Sequence, residues 1–379
     1  MNLALSDEQE FLREAARGAL SRFKTLEAAR EALDGDDSAL PDLWPTAVQA
    51  GWPGLLIDEA HGGAGLDAFD AMLVMGECGR VLAAINLLGH LPATAILNDA
   101  GDGAPMLTEL ADGERRAAYL PVSPPEDLRP EWTVDSRHGL KRGAAPQARE
   151  QDGRLLVSGE LAFVPDAPGA DLLVGVAVLD GKPLGVAIEA GAEGVTVDAV
   201  ERYDATRSLG HVTLADAPAT ALEVPEESLA AAWYLSQALL AAESLGSVET
   251  ALEVSVAYAK ERFTFGRAIG SYQAIKHGLT EVLRQLENGR SLLYYAGWAR
   301  RGAPNEFPLA ASAARSVGGR ALDEASRTMI SVHGGIGATW EHDAPLYFRR
   351  AQLSRRLIGG TGGSSDRVAG ELLSSPQAA

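Results

Sequence analysis

The sequence predicts a mainly α-helical chain with a small antiparallel β domain in its middle, and three features carry that prediction. Apolar residues recur at helical spacing along much of the chain, as in Leu245, Val248, Leu252, Val256 and Ala259. From about 117 to 222 the texture changes to short β-branched and apolar runs separated by Gly, Pro and Asp. Helical periodicity then returns from about Glu226 to Leu373. This order divides the 379 residues into an N-terminal helical domain over 1–116, a middle β domain over 117–225 and a C-terminal helical bundle over 226–379. A chain of this length suffices for two or three domains sharing a core.

Each element has a local cause. Ser6-Asp7-Glu8-Gln9 has the form of a capping box, and Phe11, Leu12, Ala15, Ala19 and Leu20 follow on one helical face. A second helix is expected over Pro41 to Ala50, stopped near Gly51. The glycines of Gly51-Trp52-Pro53-Gly54 and Gly62-Gly63-Ala64-Gly65 then demand a tight loop. No P-loop lysine follows them, so by itself this is not a phosphate loop. His61 is read as a loop residue. Residues 67–115 read as helices with Gly and Pro breaks, their apolar faces supplied by Met72, Leu73, Met75 and Val81 to Leu91. Strands are expected at Leu155–Val157, Leu172–Val178, Gly185–Ile188, Val195–Val197 and His211–Leu214. Ser123 to Ala148 has no periodicity and reads as an irregular excursion. Long antiparallel helices are expected over 226–264, 271–301 and 305–331.

Composition narrows the function. Apolar content is 46% and the formal net charge is −19. That balance disfavours nucleic acid and anionic membrane surfaces as partners, because both are bound through clustered Lys and Arg. A local arginine corner can still oppose the global field at short range. The single cysteine, Cys78, builds neither a disulfide framework nor a cysteine metal site. No secretory signal and no spanning apolar run is visible, so the cytoplasm is the expected location.

Two stretches carry chemistry. Tyr258 to His277 reads as a helix end, an elbow bounded by Gly266 and Gly270, and a new helix with Ser271 as its N-cap. That turn displays Arg262, Arg267 and Gln273 beside a helix N-terminus, either as a plain surface turn or as an anion-binding corner. Val332-His333-Gly334-Gly335-Ile336-Gly337 closes a later helix. Its glycines are either a C-cap or a turn that lets a ligand approach backbone amides. Trp340-Glu341-His342-Asp343 reads as helix-start and packing residues, since neighbours in sequence point in different directions.

Taken together these residues resemble the acyl-CoA dehydrogenase family. Arg262-x-x-Phe265-Gly266 followed by Tyr272-Gln273-Ala274-Ile275 is similar to its R-x-x-F-G…F-Q-x-I signature, and His333-Gly334-Gly335-Ile336-Gly337 to its H-G-G-x-G loop. The 51–65 loop resembles its G-W…P-E-x-x-G-G-x-G loop, with Asp58 in place of proline. The resemblance covers nearly the whole chain. It implies an N-terminal helical domain, a β-barrel-like middle domain and a C-terminal four-helix bundle. It also implies FAD, held by Arg262, Phe265, Gln273, Gly334, Gly335 and Gly337 across a subunit interface, with Phe163 and Thr361 on the flavin side. The implied substrate is an acyl-CoA thioester, and electron-transferring flavoprotein is the implied acceptor.

The chain departs from that family where its chemistry lies. The base of the Y-E-G-T stretch is replaced by Gly359 in Leu357-Ile358-Gly359-Gly360-Thr361, and the second known base position falls on Ser236. Neither residue accepts a proton unaided. Glu243, seven residues beyond Ser236 in an apolar run, is the candidate base; its other readings are a structural hydrogen bond or an ion pair. No T-E-P-x-x-G-S loop is recognisable between Leu120 and Arg149. Where the family has W-I-T the chain has Phe163-Val164-Pro165, and Pro165 has no hydroxyl or amide proton to offer a flavin. The expectation is therefore a subunit of a heteromeric, α2β2-type dehydrogenase for fatty-acid or steroid side-chain degradation. Its homologous partner would supply the catalytic Glu. The alternatives are a self-sufficient homo-oligomer using Glu243, and a non-catalytic scaffold that binds no flavin.

Overall fold

A computed structural model describes residues 4–33, 39–101, 106–124, 144–201 and 203–374. The N-terminal part comprises α1 (Asp7–Leu20), α2 (Thr25–Ala32), α3 (Trp44–Gln49), α4 (Ala68–Arg80), α5 (Leu87–Ala100) and α6 (Leu107–Ala111). The capping box at α1 forms: Gln9 N donates to Ser6 Oγ at 3.2 Å, and Ser6 N to Gln9 Oε1 at 3.1 Å. Glu59–His61 is a short 3-10 turn inside the glycine loop.

The middle part holds β1 (Ala117–Leu120), β2 (Gln147–Gln151), β3 (Arg154–Pro165), β4 (Leu172–Leu179), β5 (Lys182–Glu189), β6 (Val195–Ala199) and β7 (Leu209–Leu222). Pairings β4–β2, β2–β3, β3–β7, β7–β5 and β5–β4 close on themselves, so these five strands form a barrel-like ring with β1 and β6 added outside it. The ring is not purely antiparallel: β4 runs parallel to both β1 and β2. Sequence texture reports strands but not their direction, which explains that difference. Most of the expected excursion over Ser123 to Ala148 lies outside the described residues; its end, from Gln147, is strand rather than loop.

The C-terminal part contains α7 (Glu226–Glu261), α8 (Gln273–Gly302), α9 (Phe307–His333), α10 (Ala344–Ser354) and α11 (Gly360–Ser374). Between α7 and α8 lies a ribbon of β8 (Phe263–Thr264) and β9 (Arg267–Ala268). The helix expected to reach 264 therefore stops at Glu261. α7 is apolar on all sides over its first two-thirds and is buried from Trp233 to Val248, as such a helix must be. Its register against α4 is fixed by backbone contact. A Cβ on Gly246 would lie 1.9 Å from Gly76 O, one on Gly79 1.9 Å from Glu243 O, and Ser247 Oγ donates to Gly79 O at 2.7 Å. One core joins α4, α7, α8, α9 and α10; a second lies inside the β ring and under α5.

Candidate functional site

The last turn of α7 and the last turn of α9 meet at one end of the bundle. Tyr258, one turn before Arg262, stacks on His333 with ring centroids 4.3 Å apart, and His333 meets His342 at 4.1 Å. His333 Nδ1 is tied to Met329 O at 2.7 Å. The two motifs separated by some seventy residues of sequence thus share one corner.

Arg262 is the first residue past α7; its N–H donates to Tyr258 O at 2.8 Å, and its carbonyl accepts from Ile269 N at 2.8 Å. The ribbon turns through Phe265 (φ 53) and Gly266 (φ 81). Two left-handed central residues are what a tight hairpin of right-twisted strands requires. Glycine adopts that conformation freely, whereas a phenylalanine does so at a cost. Phe265 is 91% exposed, so no packing within this chain offsets that strain. Arg267 lies over the Tyr272 ring at 3.9 Å, and Tyr272 Oη donates to Thr264 O at 3.1 Å.

Ser271 is not the N-cap of α8. Its hydroxyl donates back to Ala268 O at 2.7 Å, Tyr272 occupies the cap position, and no side chain caps the helix. The 3-10 turn at Ile269–Ser271 consumes the serine before the helix begins. The first amides of α8 therefore remain available as donors. Among the described residues, the exposed Arg262 and Gln273 side chains make no hydrogen bond. On the facing loop a Cβ on Gly334 or Gly335 would meet nothing within 4 Å. Gly337 is needed for a different reason: a Cβ there would lie 2.7 Å from Ile330 O and 2.8 Å from the Cβ of His333. Around this corner Phe263, Ile336 and Trp340 are 65%, 45% and 55% exposed. Of the 340–343 stretch only the second half packs: Asp343 pairs with Arg30, and His342 Nδ1 accepts from Ala344 N at 3.0 Å, while Trp340 and Glu341 are exposed.

In the interior Glu243 is ion-paired on both oxygens. Its Oε1 accepts from Arg350 Nη1 at 2.7 Å, and its Oε2 accepts from Arg207. Arg350 also donates to Asp204 at 2.5 Å and to Thr206. All four charged side chains are 5% exposed or less. Burial alone would lower the Arg350 guanidinium; Asp204 and Glu243 more than offset it and hold it above its ordinary value. Burial would likewise raise Asp204, but Arg350 and Arg207 pull it below. Each Glu243 oxygen thus accepts from one guanidinium, the ion-pair alternative given for this carboxylate. It is the anchor that ties α7 to α10 and to the segment before β7. Ser236 Oγ donates to Ala232 O at 2.8 Å and serves its own helix.

Sequence reasoning missed Arg350, Arg207 and two neighbours. Asp166 is pushed up to about 7 by burial, against the Gly89 N–H that it accepts at 2.7 Å and the positive charge of Arg207. Burial lowers Arg315 to about 9, and its Nη2 donates to the carbonyls of Ser354 and Leu357. A signal existed for Arg350: it falls three and four residues from Tyr347 and Leu346, on the apolar face of α10.

Phe163 sits at an irregularity in β3 with φ 57, its ring 4.8 Å from that of His211. Thr361 is the second residue of α11 and its γ-methyl abuts Gly319. Gly319 lies fourteen residues up α9 from His333, roughly 21 Å at helical rise. Thr361 is therefore remote from the corner that brings Arg262, Phe265, Gln273 and Gly334–Gly337 together.

A helical domain, a strand ring and a helical bundle whose end displays unpaired donors define an α–β–α chain with one open, donor-rich corner. Residues 6–122 match the acyl-CoA dehydrogenase N-terminal domain and residues 231–369 the acyl-CoA dehydrogenase C-terminal domain. The acyl-CoA dehydrogenase IpdE2 of Mycobacterium tuberculosis is 30% identical over 93% of this chain and 93% of its own. Among solved structures, a Tcur3481-Tcur3483 steroid ACAD variant superposes with a TM-score of 0.85 at 26% identity, covering 97% of this chain and 98% of that one. The ChsE4-ChsE5 complex from Mycobacterium tuberculosis does so at 0.85 and 23%, covering 99% and 100%, and shows the same fold. This chain belongs to the acyl-CoA dehydrogenase family.

Proposed function

We propose that this chain is a subunit of a heteromeric acyl-CoA dehydrogenase and supplies one half of a FAD site whose flavin ring and catalytic carboxylate belong to a homologous partner. The observation that carries the reading is an asymmetry. The bundle-end corner is assembled and its donors are unspent, while the position of the family's base is Gly359 and the nearest alternative, Glu243, is locked by Arg207 and Arg350.

The residues present fit a dinucleotide. Arg262 and Gln273 would hold the diphosphate as charge-assisted and amide donors. The uncapped start of α8 adds backbone donors, and the bare Gly334 and Gly335 leave room for close approach to the main chain. Phe265 would close over the ligand or the neighbouring chain. When bound, FAD supplies the acceptor for the hydride that leaves the substrate's β-carbon. A bulky acyl-CoA thioester, such as one with a steroid side chain, is the substrate class favoured by the likeness to the steroid ACAD structure. The reading places the assembly in the cytoplasm, with electron-transferring flavoprotein as acceptor. Among the described residues no helix is long and apolar enough to cross a membrane.

Co-expression tests this. The chain is expected to purify colourless alone and to carry flavin absorbance only with its homologous partner. A yellow, active chain without a partner would establish a self-sufficient enzyme instead. No flavin in either preparation would leave a scaffold.

A further inference from the structure

We propose that Trp233 plugs this chain's own acyl chamber, so that the assembly turns over substrate only at the partner's side. The inference rests on the acyl-CoA dehydrogenase reading above and concerns the space in front of Gly359. Ile358, Gly359 and Gly360 are all left-handed, with φ 46, 77 and 66, and this run swings the chain from α10 into α11 hard against α7. A Cβ on Gly359 would come within 2.9 Å of Trp233 Cζ2 and 3.2 Å of Gln237 Nε2. Even the first carbon of a side chain at that position meets the indole.

A base and the carbon it deprotonates must sit within about 3–3.5 Å of one another with nothing between them. Here an indole edge stands against the first carbon that such a base would need. Trp233 is 3% exposed and Tyr234 beside it 1%, so both rings are fixed in the core. Gln237, one turn on, is pinned at both ends: its amide donates to Ile358 O at 3.3 Å and accepts from Ser312 Oγ at 3.2 Å. The loss of the carboxylate and the filling of its chamber are thus coupled. Restoring Glu at 359 alone would meet both the left-handed backbone and the indole.

The test uses the co-purified holo complex and isothermal titration with butyl-CoA thioether, which has no carbonyl and no acidic α-proton. Trp233→Ala is expected to raise the binding stoichiometry by one site per copy of this chain. Equal stoichiometry in wild type and variant overturns the plug. A second comparison covers a Trp233→Ala chain that fails to fold. Gly359→Ala should lower the melting temperature at least twice as far in the wild-type background as in Trp233→Phe, whose shorter ring lacks the contacting edge; equal falls overturn the proposal. A complex without flavin overturns the assembly reading instead, and the melting comparison on the lone chain still decides the role of Trp233.

Discussion

Glu243→Gln separates an anchor from a base. The substitution keeps the shape of the side chain and deletes one of the buried charges facing Arg207 and Arg350, leaving Asp204 as the hydrogen-bonded anion of Arg350. Removing one partner of a buried ion pair commonly destabilises by about 3–5 kcal/mol, because a charge is left desolvated. For a chain of 379 residues about 1.3 °C accompanies each kcal/mol. The lone chain should therefore melt about 4–6 °C below wild type, followed by circular dichroism. The complex, measured below that transition with its substrate, should keep turnover within a few-fold. A variant that melts with the wild type and yet leaves the complex inactive would refute the reasoning and return Glu243 to the role of base.

Three further outcomes are expected. Asp166 has a folded value near 7 against 3.8 unfolded, so the folded state binds more protons between those values. Stability should fall as pH rises from about 4 to 7, by up to ~4 kcal/mol at ~1.4 kcal/mol per pH unit, and level off above; Asp166→Asn should flatten that slope in pH-dependent urea melts. Arg262→Ala with Gln273→Ala removes exposed donors only. It should weaken FAD retention by the complex about 100-fold or more, at roughly 1.5–3 kcal/mol for each charge-assisted bond, with the far-ultraviolet spectrum unchanged. Phe265→Asn suits the left-handed turn, so it should stabilise the lone chain by about 1 kcal/mol while weakening its association with the partner in analytical ultracentrifugation.

The helices were legible because their causes are local. Ser6 and Gln9, three residues apart, announce a start, and the apolar stripe of α7 announces burial. The corner was legible as well, since the residue types of Arg262, Gln273 and Gly334–Gly337 carry it. Their meeting followed from the family resemblance alone; the contact that brings it about, the Tyr258 and His333 rings across two helix ends, is written in no spacing. The Ser271 cap misled for a physical reason: a hydroxyl satisfies whichever backbone group lies nearest, and here that was Ala268 O. The ionic centre was hidden because Asp166, Asp204, Arg207, Glu243 and Arg350 come from four segments whose convergence no spacing encodes. β4 running parallel to two neighbours was hidden for the same reason.

One rod carries a part of each centre described above. α7 bears Trp233 near its beginning, Glu243 at its middle, the glycine crossing with α4 just beyond, and Arg262 at its exit. From Trp233 to Arg262 is roughly 44 Å of unbroken helix. Distance along it is set by residue count alone. One amino acid inserted between Gly246 and Tyr258 would advance the exit by about 1.5 Å and rotate it by about 100°. The arginine would then face away from the glycine loop even though every local bond survived. The length of this rod is thus as much a part of the site as any side chain on it.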